Sequence, residues 1–396
     1  MWTILIIFLF VLSIYLSIKL KLKNFKINIK LLSKDKTSLF LTLGTKIGVG
    51  SLIGTTSSII IGGFSSVIWM IIFSVLCTSI IYTESYFGNK YKKVNNNNYI
   101  GGPYFILKYS LNKKILSIIS LILLIVIYSF LFQMIQMNSI GYLLELLNIN
   151  KLIIILVSIF ILILTFSLSI NDVLSSLNKL VPFMCILFLV VSIYGIIKNI
   201  NLININIFLK DISSTKSIIT GLIIGIKRSI FMNELLIGTT STGSASDKND
   251  ITTSINYQIL STYFISVFIT IIITFLLLIY LSSSNIIDNY NLLLVNVYTK
   301  ILGKYGLYFL LTLYILFGFT TILSGYYIGK NNIEYITNNK KILTIFKILF
   351  ITFSVSGILF KSNFLWNLVD NLIFIMIIIN SYSIIKLIEK ENIWKK

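Results

Sequence analysis

Two stretches of this chain put reactive groups where a membrane span should have none. The first reads Leu43-Gly44-Thr45-Lys46-Ile47-Gly48-Val49-Gly50-Ser51-Leu52-Ile53-Gly54, with four glycines, three hydroxyl or ammonium side chains and little grease. The second reads Phe231-Met232-Asn233-Glu234-Leu235-Leu236-Ile237-Gly238-Thr239-Thr240-Ser241-Thr242-Gly243-Ser244. An interrupted helix frees backbone groups that a continuous one would use up. Free N–H groups at a helix start suit a carboxylate, and free C=O groups suit an ammonium or a cation. A zwitterion needs both. The alternative is close helix packing through small residues. Lys46, Asn233 and Glu234 favour a site, because such groups are costly inside a membrane unless they are used.

The elements that carry these stretches are apolar helices. The 396 residues are 56% hydrophobic and 12% charged, against about 25% charge in a soluble domain, and the mean hydropathy is +0.93. Apolar runs follow one another along the chain, each near the ~20 residues that cross a bilayer as a helix. The fold class is an all-α polytopic membrane protein. That excludes a soluble enzyme, a secreted disulfide scaffold and a nucleic-acid-binding protein. There is no histidine, and Cys77 and Cys185 lie far apart inside apolar runs, which removes a zinc site and a disulfide framework. No cofactor is expected. A single arginine (Arg228), a single alanine (Ala245) and abundant Ile, Lys and Asn read as the codon bias of an AT-rich, bacterial genome.

Eleven spans are expected, near 2–20, 38–63, 65–87, 115–144, 152–171, 180–197, 217–243, 253–283, 304–328, 341–360 and 362–387. The first lacks the basic start and small-residue cleavage site of a signal peptide and reads as a retained span. Residues 1–37 form that helix and a basic loop, 38–200 a first set of five spans, and 201–396 a second set with a short basic tail. Basic residues collect on cytoplasmic loops. With the N-terminus outside, 22 of the 33 basic residues fall inside and seven outside, with four in or against spans. The net charge of +20 is therefore an orientation signal and a match to anionic lipid. It places the C-terminus in the cytoplasm and the protein in the plasma membrane. The Asn95–Asn98 tract reads as a solvated loop.

At these residues the chain resembles the alanine/glycine:cation symporters. Gly48–Gly54 sits where that family has G-T-G-N-I-A-G, and Gly62, Gly63, Trp69 and Met70 follow at the spacing of G-G-P-G-A-V-F-W-M. Glu84 and Tyr91 match F-A-E and K-Y-R; Gly101-Gly102-Pro103 and Val181-Pro182-Phe183-Met184 match G-G-P and V-P-F-M; Gln136-Met137-Asn138-Ser139 looks like Q-x-N-S. In the second half, Ile230–Glu234 with Gly238 and Lys248 resembles I-F-S-N-E-A-G-L-G. Phe319-Thr320-Thr321, Tyr327-Ile328-Gly329 and Glu334-Tyr335 resemble F-S-T, Y-Y-G and E-Y. Trp366, Asp370, Met376 and Asn380 match W-x-L-x-D and L-M-x-x-P-N, with Ile379 for the proline. The resemblance runs from about residue 10 to 385. It implies a leucine-transporter-type five-plus-five inverted repeat with broken helices and one extra N-terminal span. It also implies uptake of a small neutral amino acid, alanine or glycine, with sodium as co-substrate.

By that resemblance Gly48, Gly50 and Ser51 hold the substrate carboxylate, and Phe231, Met232 and Asn233 supply carbonyls for the ammonium and a phenyl wall. Gln136 accepts the ammonium or, alternatively, bonds between helices. Thr320 and Thr321, with Ser51, give oxygens to sodium; the alternative for the two threonines is bonding back to their own helix. Glu84, Glu234, Trp366 and Asp370 are structural or gating groups, although Trp366, like Trp2 and Trp69, also suits an interfacial aromatic. Three departures stand out. Gly325 replaces a family tryptophan and so allows a wider pocket, unless a neighbouring aromatic refills it. Lys46 replaces a threonine and Lys330 a glutamate. Lys46 could stand in for a cation and make transport sodium-independent or proton-coupled, or snorkel its ammonium to the interface. A membrane-embedded enzyme would need a carboxylate or histidine cluster. Asp35, Asp172, Asp211, Asp247, Asp250 and Asp288 are scattered, with only Asp247 and Asp250 close together, which speaks against it. A channel on the same fold is the third reading. Oligomeric state is not encoded in any motif.

Overall fold

The computed structural model describes residues 2–28, 30–31, 34–95, 98–281, 289–337 and 339–391. Asp288, Lys395, Lys396 and the middle of the Asn95–Asn98 tract lie outside the described residues. The chain is nearly all helix: α1 (Trp2–Lys19), α2 (Thr37–Lys46), α3 (Val49–Gly62), α4 (Ser65–Leu76), α5 (Thr78–Lys90), α6 (Pro103–Ser110), α7 (Lys114–Ile125), α8 (Phe132–Leu146), α9 (Lys151–Thr165), α10 (Ile170–Lys198), α11 (Ile205–Ile212), α12 (Thr215–Met232), α13 (Thr239–Ser244), α14 (Ile251–Tyr263), α15 (Thr270–Leu281), α16 (Tyr290–Leu302), α17 (Gly306–Ile336), α18 (Lys340–Ser356) and α19 (Ser362–Lys390). The asparagine tract is flanked by a small antiparallel hairpin, β1 (Lys93–Asn95) on β2 (Asn98–Ile100), with Val94 opposite Tyr99.

Among the described residues six helical stretches are long and apolar enough to cross a bilayer: α1, α7–α8, α10, α14–α15, α16–α17 and α19. Two bent pairs, α2/α3 at 50° and α4/α5 at 40°, raise the number to eight. The three remaining expected spans hold α9 and α18, which are shorter, and α12, which carries Lys216, Lys227 and Arg228. Short π-helical turns at Val126–Leu131 and Phe264–Ile269 join α7 to α8 and α14 to α15. Lipid-facing surfaces are plain. On α9, Leu152, Leu156, Phe160 and Leu164 are each more than half exposed, as an apolar helix against acyl chains should be.

The broken pair α2/α3 lies at the centre. α12 packs on α3 and α4, α13 on α5 and α2, α14 on α5 and α2, and α17 on α8, α10 and α2. Small residues set these distances. A Cβ at Gly225 of α12 would stand 2.3 Å from the Ser66 carbonyl of α4, and one at Gly221 2.1 Å from Ser65 Oγ. Helices in lipid approach this closely only through such a seam. The Ser65 hydroxyl closes it by donating to Ser217 O at 2.5 Å. Gly54, by contrast, has nothing nearer than Met232 Cγ at 3.9 Å.

This seam generates a stability prediction. Gly225→Val should lower the melting temperature in detergent, since forced overpacking costs at least about 1–3 kcal/mol, while Gly54→Ala should leave it unchanged. Scanning fluorimetry of the two purified variants measures it, and equal melting points would show that the α4–α12 seam is not tight.

Candidate functional site

Both sequence interruptions are real breaks, made in different ways. The first is short. α2 ends at Lys46, Ile47 leaves the helical region, and Gly48 is extended at φ −98°, ψ 177°. The Ser51 hydroxyl bonds back across the gap to the Lys46 carbonyl. The second runs from Asn233 to Gly238 and is coiled tightly by left-handed residues: Glu234 (φ 49°), Leu236 (φ 58°) and Gly238 (φ 115°). Only glycine adopts such angles without cost, so side chains must hold the other two. Leu236 N–H donates to Glu84 Oε2 at 3.3 Å and Leu236 O accepts from Asn380 Nδ2 at 2.7 Å. Glu84 Oε1 also accepts from Ser241 N (3.3 Å) and Ser241 Oγ (3.0 Å), in the first turn of α13. Glu84 thus has N–H and O–H donors as partners.

The breaks face one another across a central cavity of about 10 Å³, lined by Thr45, Lys46, Gly48, Gly50, Ser51, Phe132, Ile135, Gln136, Phe231 and Glu234. That is room for about one water. Gln136 Oε1 accepts the Val49 N–H at 2.9 Å, Thr45 Oγ1 donates to Glu234 Oε2 at 3.0 Å, and the rings of Phe132 and Phe231 stand 5.6 Å apart. Lys46 is 3% exposed and donates to Ser261 Oγ of α14 at 3.2 Å. The snorkelling alternative fails: the ammonium points into the bundle.

Seven expected residues therefore meet: Lys46, Gly48, Gly50, Ser51, Gln136, Phe231 and Glu234. Others do not. Met232 takes the Thr55 hydroxyl on its sulfur at 3.5 Å, on the α3 side. Asn233 points to α4 and the second π-turn, donating to Ser74 Oγ at 3.0 Å and accepting from Ser266 Oγ at 2.7 Å. Thr321 Oγ1 lies 3.1 Å from the Gly44 carbonyl, beside the first break, whereas Thr320 turns to Met184 Sδ at 3.3 Å. Both threonines also bond to Phe317 O of their own helix. Lys330 lies away from the breaks and donates to Leu168 O at 3.1 Å. The wider pocket expected at Gly325 is not present. A Cβ there would meet Gln133 Nε2 at 2.2 Å and Tyr128 O at 2.4 Å, so a glutamine, not empty space, stands where an indole would go.

Thr45, Phe132 and Ile135 were not expected. Thr45 adjoins Lys46 in the same break, and Phe132 lies one turn from Gln136 on one helix face, so both were readable from spacing.

Above Phe231 lies a layer joining α12 to α19. Phe231 and Trp366 rings are 4.8 Å apart, Arg228 stacks over Trp366 at 4.7 Å, and Lys227 pairs with Asp370 at 2.5 Å. Among the described residues Arg228 Nη1 is buried without a hydrogen-bond partner. Gly50 abuts this layer, its Cβ direction 3.4 Å from Phe231 Cε1 and 3.7 Å from Trp366 Cη2. One turn beyond Gly50, Ile53 borders a vestibule of about 570 Å³ that Asn138, Tyr142, Lys151 and Asn289 also line. Lys227 also lies over the Trp2 ring at 5.0 Å. On the opposite face α13 is wedged shut: a Cβ at Gly88 would stand 2.5 Å from Ser241 Cα. There Lys92 holds Asp247 O and Asn249 O, both at 2.9 Å, and Ser38 N donates to Asp247 Oδ2 at 3.1 Å.

The sodium:alanine symporter family matches residues 1–393, and the chain belongs to it. It is similar to a probable sodium/glutamine symporter of Bacillus subtilis, GlnT, at 24% identity over 373 residues, spanning 89% of this chain and 76% of that protein. It is also similar to the amino-acid carrier protein AlsT of the same organism, at 24% over 350 residues, spanning 86% and 75%. An uncharacterized transporter of Haemophilus influenzae is 23% identical over 372 residues, spanning 89% and 76%.

Glu84 can be tested directly. Glu84→Ala leaves two buried N–H groups without an acceptor, at about 1–3 kcal/mol each, whereas Glu84→Gln keeps one carbonyl oxygen. Thermal stability in detergent should fall in the order wild type, Gln, Ala. An alanine variant as stable as wild type would remove Glu84 from the second break.

Proposed function

We propose that this member of the sodium:alanine symporter family carries a small neutral amino acid into the cell with sodium, by alternating access. The observation that carries the reading is the meeting of two broken helices around one cavity, with backbone and charge of both signs turned inward. The Gly50 N–H, at the positive start of α3, is placed for a carboxylate. The Gln136 amide oxygen, in the cavity wall, supports the same reading for an ammonium. Sodium is a hard cation that takes oxygen ligands, and Gly44 O with Thr321 Oγ1 offers such a pair beside the break; Thr320, turned to Met184, has the weaker claim. The crowding of Phe132, Phe231 and Trp366 supports alanine or glycine as substrate, because a longer side chain needs those rings to move.

The same reading takes eleven spans as one N-terminal helix followed by two inverted sets of five. The lysine distribution supports the vestibule face as the outer one, with both breaks in corresponding first members of the sets. The α12–α19 layer then stands between vestibule and cavity as the outer closure, and the α5–α13 wedge as the inner one.

Uptake of labelled alanine, glycine, serine, valine, leucine and glutamine into proteoliposomes tests this, under a sodium gradient and under a pH gradient. Sodium-driven uptake of alanine and glycine is expected, and strict preference for leucine would overturn the substrate class. Gly50→Leu fills the space between Phe231 and Trp366. It should cut uptake by about tenfold or more, a tenfold step being ~1.4 kcal/mol, with membrane expression intact. Normal uptake by that variant would remove the site from α3.

A further inference from the structure

Three charged side chains are buried together around the breaks, and their charges do not cancel. Glu84 and Glu234 are each 2% exposed and Lys46 3%. Both Glu84 oxygens accept from N–H or O–H donors, the pattern of an ionised carboxylate. Glu234 and Lys46 line the same cavity, from opposite breaks. Thr45, next to Lys46 in the chain, bonds the Glu234 carboxylate, while the Lys46 ammonium has Ser261 Oγ as its one hydrogen-bond partner among the described residues. Three N–H donors with one partner leave an ammonium whose remaining interaction is with the charges and the cavity around it. Beyond the Phe231–Trp366 stack, Lys227 pairs with Asp370 and Arg228 lies over the Trp366 ring.

Two carboxylates and one ammonium sum to one negative charge. An uncompensated charge in a membrane interior is unfavourable, and a neutral zwitterion brings no net charge to correct it. One sodium ion does. We propose that Lys46 is a built-in cation that fixes the coupling at one sodium per amino acid: with Lys46 in place the loaded site is neutral with a single sodium, and without it a second would be required. Position 46 is where this chain departs from the threonine of the family pattern. The proposal rests on the transport reading above and adds its stoichiometry.

The test uses the full chain in proteoliposomes. Alanine and sodium-22 fluxes, and the reversal potential of the alanine-coupled current, give the ratio for wild type. One sodium per alanine is expected, with a Hill coefficient for sodium of one. Lys46→Met keeps the stem and removes the charge. It should raise the Hill coefficient toward two and the half-saturating sodium concentration by about tenfold or more, one step of the tenfold scale. Adding Glu234→Gln to it should bring the coefficient back toward one. A wild-type ratio of zero or two overturns the role of Lys46, and so does a Lys46→Met protein with wild-type sodium dependence. Should that variant not fold, the wild-type ratio alone decides. Absence of uptake for every amino acid in the panel overturns the transport reading instead.

Discussion

A polar backbone group in the middle of a bilayer has no water to turn to, and this fold is organised around that constraint. Two helices are interrupted at the centre, and each interruption frees N–H and C=O groups that lipid cannot satisfy. The chain answers with side chains from elsewhere. Gln136 takes the Val49 N–H, the Ser51 hydroxyl takes the Lys46 carbonyl, and Glu84 and Asn380 hold the two ends of Leu236. Side chains of four helices, α3, α5, α8 and α19, thereby converge on the two breaks.

Closeness is the second requirement, and glycine meets it. Gly221 and Gly225 let α12 lie on α4, and Gly88 lets α5 touch the backbone of α13. Without them the side chains that satisfy the breaks would stand too far away to do so. Packing and polarity are one problem here. The seam that looks structural determines whether Glu84 reaches Ser241, and the hydrogen bonds keep Glu234 and Leu236 in left-handed conformations they would otherwise leave.

Much of this was legible in the residues. Glycine, hydroxyl and charge inside an apolar run marked both breaks, and the family resemblance pointed Gln136 toward them. The rest turned on directions that a sequence does not carry. At a helix end successive side chains point in different directions, and the sequence does not say which of them meets the cavity. Phe231 faces the cavity while its neighbours Met232 and Asn233 face α3 and α4. A missing tryptophan at 325 looked like space because the sequence cannot show that Gln133, eight residues after Ile125 and past a π-turn, is swung into it. The left-handed pair at Glu234 and Leu236 has no signature either, since neither residue type favours that region.

The contact between Gln136 and Val49 has a kinetic consequence. A carrier that works in cycles must return across the membrane unloaded, and its naked polar groups would then be at their most exposed to a low-dielectric surround. On the proposed reading, the amide oxygen assigned to an arriving ammonium already accepts the Val49 N–H, and the Glu234 carboxylate already holds Thr45. On that reading the empty site carries an internal imitation of its cargo. Loading exchanges these bonds for equivalent ones and so gains little net affinity, while the empty return step is spared a desolvation barrier. Such a site favours turnover over tight retention.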